Sequence, residues 1–538
     1  MRRVQRALEN PSKLDSLTVD VQEWHPAPLV PSFQARSPVP VQSREDLLRG
    51  DFRFLNQKER LPSSDKWSVF GLPKLWQYNL HYFDWLWSFD ESIESDWREV
   101  KTLVNDWIEN HPPRKRATGW EPYPSSLRLI NWSLLFFGRW RSRTLSDSEF
   151  SNRLSDSMFR QYQWLSKHLE YHILANHLLE NAVALAVGGA LFRGAFAEKM
   201  ATLGNALCER ELQEQVLPDG LHYERSSMYH ARVVWLCEIL QGLGNSQTKS
   251  IVIELLPRMY DAMNCMTHAD GRLTLFNDAA NEIYAMPKNQ QQKSRVWSLP
   301  SAGFYGAHSA STVEENSPVV TDSIVCSCGS ISPSYQPGHA HADSLAFEWT
   351  IDGKPFITNT GIFQYATGAA RIYDRSTAAH NTVQIGEENS SEVWSSFRVG
   401  KRAMVHIDRW HPAETGFELC AVHDGYSPWI HRRTFHYDRD LLEIVDHVTG
   451  PGTRTVKCFF HFGPDVQIAD LCDECGEYQA RIGNTVVKIR VEGCKFNMTS
   501  LQTRYSPEFG LALSRPSLVL EANVQKMGQW NVFMKVDR

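Results

Sequence analysis

Between residues 46 and about 290 the apolar positions recur at helical spacing. Trp97, Val100, Val104, Trp107 and Ile108 fall on one amphipathic face, and His111-Pro-Pro stops the run. The same pattern predicts helices near 125–141, 148–170, 173–192, 196–215, 226–243 and 247–266. Helices following one another so closely predict antiparallel helical hairpins rather than alternating strand and helix. Beyond the polar run Pro287-Lys-Asn-Gln-Gln-Gln-Lys-Ser-Arg the period changes. Short β-branched and aromatic runs now end in turn residues, as in Leu345-Ala-Phe-Glu-Trp-Thr-Ile before Asp352-Gly and Val456-Lys-Cys-Phe-Phe-His-Phe before Gly463-Pro. About a dozen such strands with no helix between them predict an antiparallel β-sandwich. Prolines in His25-Pro-Ala-Pro-Leu-Val-Pro and Ser37-Pro-Val-Pro predict an extended arm ahead of both halves. The expectation is an α+β multidomain chain: an arm over 1–45, a helical domain over 46–290 and a strand domain over 291–538.

Composition narrows the class. The 538 residues are 42% hydrophobic and 22% charged, which excludes disorder, collagen and coiled coil. No apolar run approaches the roughly 20 residues of a membrane span; the longest, near Ala182–Phe192, contains two glycines. The basic start Met1-Arg-Arg-Val-Gln-Arg has no apolar segment after it, so no secretory signal is expected. The compartment expected is cytoplasmic, or periplasmic or secreted if a leader is missing. Ten cysteines without a paired framework predict reduced thiols, and the lone Cys472-Asp-Glu-Cys475 reads as a turn before it reads as a redox or zinc motif. The formal charge of −6 governs solubility and steering, and a cleft can still be locally basic. No nucleic-acid or membrane partner is expected. Ten of the 18 tryptophans lie between Trp67 and Trp164, mostly as helical core.

P-loop, G-x-G-x-x-G, G-x-S-x-G and H-E-x-x-H signatures are all missing, which lowers the odds of nucleotide, dehydrogenase, serine-hydrolase and zincin chemistry. Four segments instead concentrate polar groups. His172, Asn176 and Glu180 share one face at helical spacing, with His177 beside them, and either line a cleft or form an internal network. His222-Tyr223-Glu224-Arg-Ser226-Ser-Met-Tyr229-His230 leads into another helix, with Ser226 a possible N-cap and Tyr229 either functional or a buried aromatic with a paired hydroxyl. Gly338-His339-Ala-His341-Ala-Asp343 offers two imidazoles on one face if extended, and three ionisable groups in five residues are hard to read as packing. Arg371-Ile-Tyr373-Asp374-Arg375 and His380-Asn381 supply another histidine and two arginines, suited to anionic groups or to surface salt bridges.

Taken in order, Asn176-His-Leu-Leu-Glu180, Glu224-x-Ser226-x-x-Tyr229-His230, His339-Ala-His341-Ala-Asp343 and Arg375-Ser-Thr-Ala-Ala-His380-Asn381-Thr resemble the heparinase II/III-type polysaccharide lyases. Leu75–Asp84, Glu121–Trp132 and Ser391–Gly400 support the likeness, which spans about residues 70–400. The resemblance implies an N-terminal incomplete (α/α) toroid followed by a C-terminal antiparallel β-sandwich. It implies β-elimination on a uronate-containing anionic polysaccharide such as heparan sulfate, chondroitin sulfate, hyaluronan or alginate. Asn176 would hydrogen-bond the uronate carboxylate with His177 nearby as a neutraliser or second base, Tyr229 would be the general acid/base, and His339 a second base or neutralising group. Arg128, Asn131, Glu180, Tyr223, His230, Arg371, Arg375 and Arg398 would bind or orient substrate, and Trp76 and Trp120 would stack on sugars. Some relatives hold a metal through His, Asp and His. The matching positions here are His341, Asn359 and His380, so a structural Zn or Mn would meet an amide instead of a carboxylate. The rivals are a glycoside hydrolase, which needs two flanking carboxylates, and a polysaccharide-binding or assembly protein without turnover.

Overall fold

The computed structural model describes residues 24–27, 35–62, 66–113, 117–284, 294–310, 320–331, 333–472 and 476–538. Most of the expected N-terminal arm, the polar junction at 287–293 and Cys475 lie outside these residues. Contacts divide the chain into two compact units, Met1–Gln215 with Arg232–Pro257 and Glu282–Met286, and Val216–Ala231 with Arg258–Asn281 and Pro287–Arg538. The division is therefore not a single cut near 290. Two segments from the helical stretch cluster with the strands.

The first unit is helical. Glu94–Asn110, Pro122–Leu134, Ser148–Lys167, Ala175–Leu191 and Ala195–Gln215 follow the predicted spacings closely. All ten tryptophans from Trp67 to Trp164 are buried, and Trp107 alone packs against Trp120, Trp132 and Phe83. Ala175–Leu191 runs tightly against Ala195–Gln215: a Cβ on Gly204 would lie 2.4 Å from the Ala186 nitrogen, so only glycine permits this approach. No helix among the described residues is long and apolar enough to cross a membrane.

The second unit is an antiparallel sandwich. A ten-stranded sheet faces a five-stranded one built from Arg295–Leu299, Phe304–Ala310, Val320–Ser327, Ala346–Ile351 and Lys354–Ile357. Their inner faces share one core, with Phe347, Trp349 and Ile351 from the smaller sheet and Phe435, Ile444 and Phe460 from the larger. The expectation of strands with no helix between them needs correction. Ala369–Arg375 forms a seven-residue helix between strands, and its two arginines are buried rather than at the surface.

Candidate active site

In the second unit, the side chains converge on Asp278, which is fully buried. His339 brings Nδ1 within 2.7 Å of one carboxylate oxygen and His341 brings Nε2 within 2.8 Å of the other. Arg371 donates to both oxygens. Burial alone would raise the pKa of Asp278, but the Arg371 guanidinium and the two imidazole hydrogen bonds outweigh it and hold the carboxyl well below its usual range. Asp278 is thus an anion that fixes the ring of His339, leaving Nε2 facing away with Glu224 at 4.0 Å.

Tyr229 packs its ring against His339 with centroids 4.4 Å apart, and its hydroxyl shares a 2.9 Å hydrogen bond with the Tyr365 hydroxyl. Ser226 caps the helix Ser227–Leu243 by accepting from the Tyr229 N–H, and donates to the Asp278 carbonyl. One serine therefore ties the tyrosine's helix to the carboxylate's loop. Three non-glycine residues with left-handed backbone flank these groups: Arg225 before Ser226, Asn277 before Asp278, and Leu345 after Ser344. Backbone strain of this kind persists where the surroundings over-determine it.

The His339–Asp343 segment is a loop, not the extended strand that would set both imidazoles on one face. The rings converge because Asp278 takes both. Arg371 and Arg375, expected to grip substrate, are consumed inside. Arg371 also donates to the Ser396 carbonyl, and Arg375 clamps the Ala340, Trp394 and Ser395 carbonyls. His230 is likewise internal, accepting from the His222 N–H and bonding the Met259 carbonyl. Burial lowers its proton affinity to about 4. Tyr223 is buried, with its hydroxyl 3.3 Å from that of Tyr335. Arg398 is exposed.

In the first unit, the helix Ala175–Leu191 begins after Leu174 and Ala175, both with positive φ. This turn removes His172 from the predicted helical face and leaves it exposed. Asn176 and His177 occupy the first turn. Asn176 is buried, and its Oδ1 has no hydrogen-bond partner among the described residues. His177 is partly exposed, stacks on Tyr123 at 4.1 Å and meets Glu170 at 3.1 Å through Nδ1. Asn181 in turn donates to Glu170 and accepts from its backbone N–H. Glu180, by contrast, gives both oxygens to buried Arg232. Arg128 donates to Gln161 and lies 4.1 Å over Trp107, while Asn131 is held by Trp87 and the Tyr82 carbonyl. These three are structural, not substrate grips. Trp76 and Trp120 are buried too, with their indole N–H groups on the Gln57 and His111 carbonyls, so neither offers a face to a sugar.

Among the described residues no group of three His, Cys, Asp or Glu side chains is placed to hold a metal. The predicted trio nonetheless carries the marks of a donor set. His341 Nδ1, His380 Nε2 and Asn359 Nδ2 are buried without hydrogen-bond partners among the described residues, and the imidazole rings lie 5.3 Å apart. Burial holds both histidines neutral, His341 at about 4 and His380 well below its ordinary value. The Asn359 amide oxygen already accepts from His380 Nδ1 at 3.0 Å, which leaves the lone pair on His380 Nε2.

Sequence reasoning missed Asp278 and Tyr365. Neither lies in a spaced motif, and each acquires meaning only from partners dozens of residues away.

The heparinase II/III N-terminus profile matches residues 74–300, and the heparinase II/III-like C-terminal profile matches 291–521. A heparin-sulfate lyase from Bacteroides thetaiotaomicron is 23% identical over 75% of this chain and 62% of its own length, so the chain spans less than two thirds of that relative. The FtsZ-localized protein C of Caulobacter vibrioides is 25% identical over 68% of this chain and 62% of its own. A crystal structure of heparinase III superposes with a TM-score of 0.70 at 17% identity, covering 98% of this chain and 84% of the other; it shares the helical-toroid and β-sandwich fold.

Proposed function

Because this chain belongs to the heparinase II/III-like family through both its halves, we propose that it is a polysaccharide lyase cutting uronate-containing polysaccharides by β-elimination. Heparan sulfate is the first substrate to try, given the name of the Bacteroides relative; chondroitin sulfate, hyaluronan and alginate follow. The observation that carries the reading is the close packing of the Tyr229 ring on His339, with His339 gripped from behind by the buried Asp278 anion.

The C5 proton of a uronate is weakly acidic, so its removal needs a base and a neutralised carboxylate. In this reading Asp278 accepts from Nδ1–H of His339, which leaves the Nε2 lone pair to take the proton from one epimer. Tyr229 delivers its phenolic proton to the departing O4, and as phenolate takes the C5 proton of the other epimer. Through the shared hydrogen bond the Tyr365 hydroxyl can donate to the Tyr229 oxygen and stabilise it as phenolate. Within the first unit, the Asn176 amide N–H group and His177, oriented by Glu170, are proposed to bind a carboxylate of the polysaccharide.

Incubation with the four polysaccharides decides it. A lyase releases ends with the ultraviolet absorbance of a 4,5-unsaturated uronate, a hydrolase releases reducing ends without it, and a binding protein releases neither. Failure of all four to yield the chromophore overturns the proposal.

The metal is a separate proposal. His341, His380 and Asn359 would hold one divalent ion, Zn or Mn, weakly for want of an anionic ligand. When bound, the ion would cross-link the loop carrying His341 to the strands beyond it. Metal analysis of the purified chain should show up to one ion, and His341→Ala should abolish it while lowering the melting temperature. A wild-type chain that raises neither metal content nor melting temperature with added Zn or Mn would contradict this.

A further inference from the structure

Beside His339 the chain makes a small hairpin, Val393–Trp394 paired with Arg398–Val399, with Trp394 directly opposite Arg398. Its turn is held with unusual firmness. Arg375 takes the carbonyls of Trp394 and Ser395, Arg371 takes that of Ser396, and Thr367 bonds the Ser396 hydroxyl. The other ends of the same guanidiniums hold Asp278 and the Ala340 carbonyl, so hairpin and histidine loop share their anchors.

On this rigid base large apolar side chains point outward. Trp394 is 55% exposed and Phe397 44%. The Phe397 ring lies 5.8 Å from His339 and 5.3 Å from Tyr365, placing it against the proposed reacting groups. Arg398 is exposed and enters no ion pair among the described residues. In an antiparallel pair, directly opposite side chains share one face, so an indole and a free guanidinium stand side by side. Rigid, exposed aromatics next to an uncommitted cation are the chemistry that recognises an acidic sugar: C–H groups of the pyranose face on the ring, carboxylate or sulfate on the guanidinium.

We infer that Trp394, Phe397 and Arg398 form a subsite for an acidic sugar unit flanking the one that is cleaved, an assignment that rests on the lyase reading above. The fixed turn keeps the ordering cost of binding low.

The test separates binding from turnover. Full-length Tyr229→Phe protein is titrated calorimetrically with heparan sulfate and with hyaluronan oligosaccharides, alone and with Trp394→Ala or Arg398→Ala added. Each addition should weaken binding about tenfold, as expected for loss of one charged hydrogen bond or one stacked face. Arg398→Ala should also flatten the salt dependence. Loss in both arms means that Arg398 reads the carboxylate, loss with heparan sulfate alone that it reads sulfate. Trp394→Tyr and Arg398→Lys, which keep ring and charge, should retain most affinity and control for misfolding, alongside melting temperatures. Unchanged affinity in both alanine variants, or no binding of either ligand by the parent, overturns the subsite. Chromophore release by the proteins with Tyr229 intact is followed in parallel. Hairpin-dependent binding without chromophore would sink the lyase reading and leave the subsite standing.

Discussion

In the proposed elimination, Tyr229, His339 and Asp278 would divide one task between them. The tyrosine would be the proton donor and the imidazole the base, with the carboxylate fixing which imidazole nitrogen carries hydrogen. Tyr229→Phe should therefore lower kcat/KM by about 100- to 10,000-fold, the range of general acid–base contributions, with an unchanged melting temperature. Asp278→Asn keeps the shape but removes the anion that selects the tautomer. It should lower kcat by about 100-fold with little change in KM, measured by steady-state kinetics; a rise in KM at constant kcat would point to a purely structural role. Tyr229 and His339 stand out as candidates in the sequence because each sits in a compact polar motif. Asp278 does not, since Phe276-Asn-Asp278-Ala resembles any loop until His339, His341 and Arg371 are seen to close on it. The arginines misled for the opposite reason. Sequence shows a guanidinium but not whether backbone carbonyls already occupy it, as they do for Arg375.

At the scale of elements, the short helix Ala369–Arg375 links the strand core to the site. Its Arg371 joins Asp278 to the hairpin turn, and both members of that ion pair are fully buried. Arg371→Met should cost about 3–5 kcal/mol, because breaking a buried pair strands the other charge. Calorimetric unfolding measures it, and a loss below about 1 kcal/mol, the range of exposed pairs, would contradict the account. Helical periodicity found the long helices within a few residues, since their apolar faces repeat over many turns. It overran Ala175–Leu191 at its start because Leu174 and Ala175 adopt left-handed backbone, a conformation that apolar residues do not advertise. The seven-residue helix was lost for lack of length.

Across the whole molecule, buried neutral histidines set the response to acid. Burial lowers His230 to about 4 and His308 to about 3, against an ordinary value of 6.5. The unfolded chain binds protons that the folded chain refuses, so their contribution is full above pH 6.5 and is lost as pH falls toward 4 and then 3. The two together should remove several kcal/mol, at about 1.4 kcal/mol for each pH unit of displacement. Melting temperature should fall steeply from pH 6.5 to 4, and a flat profile there would contradict this. The division into a helical and a strand half was legible because periodicity changes with element type. The interleaving of 216–231 and 258–281 with the strand unit was not, since it arises from long-range contacts alone.

The central claim is that this chain breaks its substrate by elimination, with Tyr229 and His339 moving protons and no water entering the products. Cleavage of heparan sulfate in oxygen-18-enriched water, followed by mass spectrometry of the new ends, tests it most directly. The account predicts unsaturated ends with no solvent oxygen incorporated and no products from Tyr229→Phe. One heavy oxygen per cut, with saturated ends, would mean hydrolysis and contradict it.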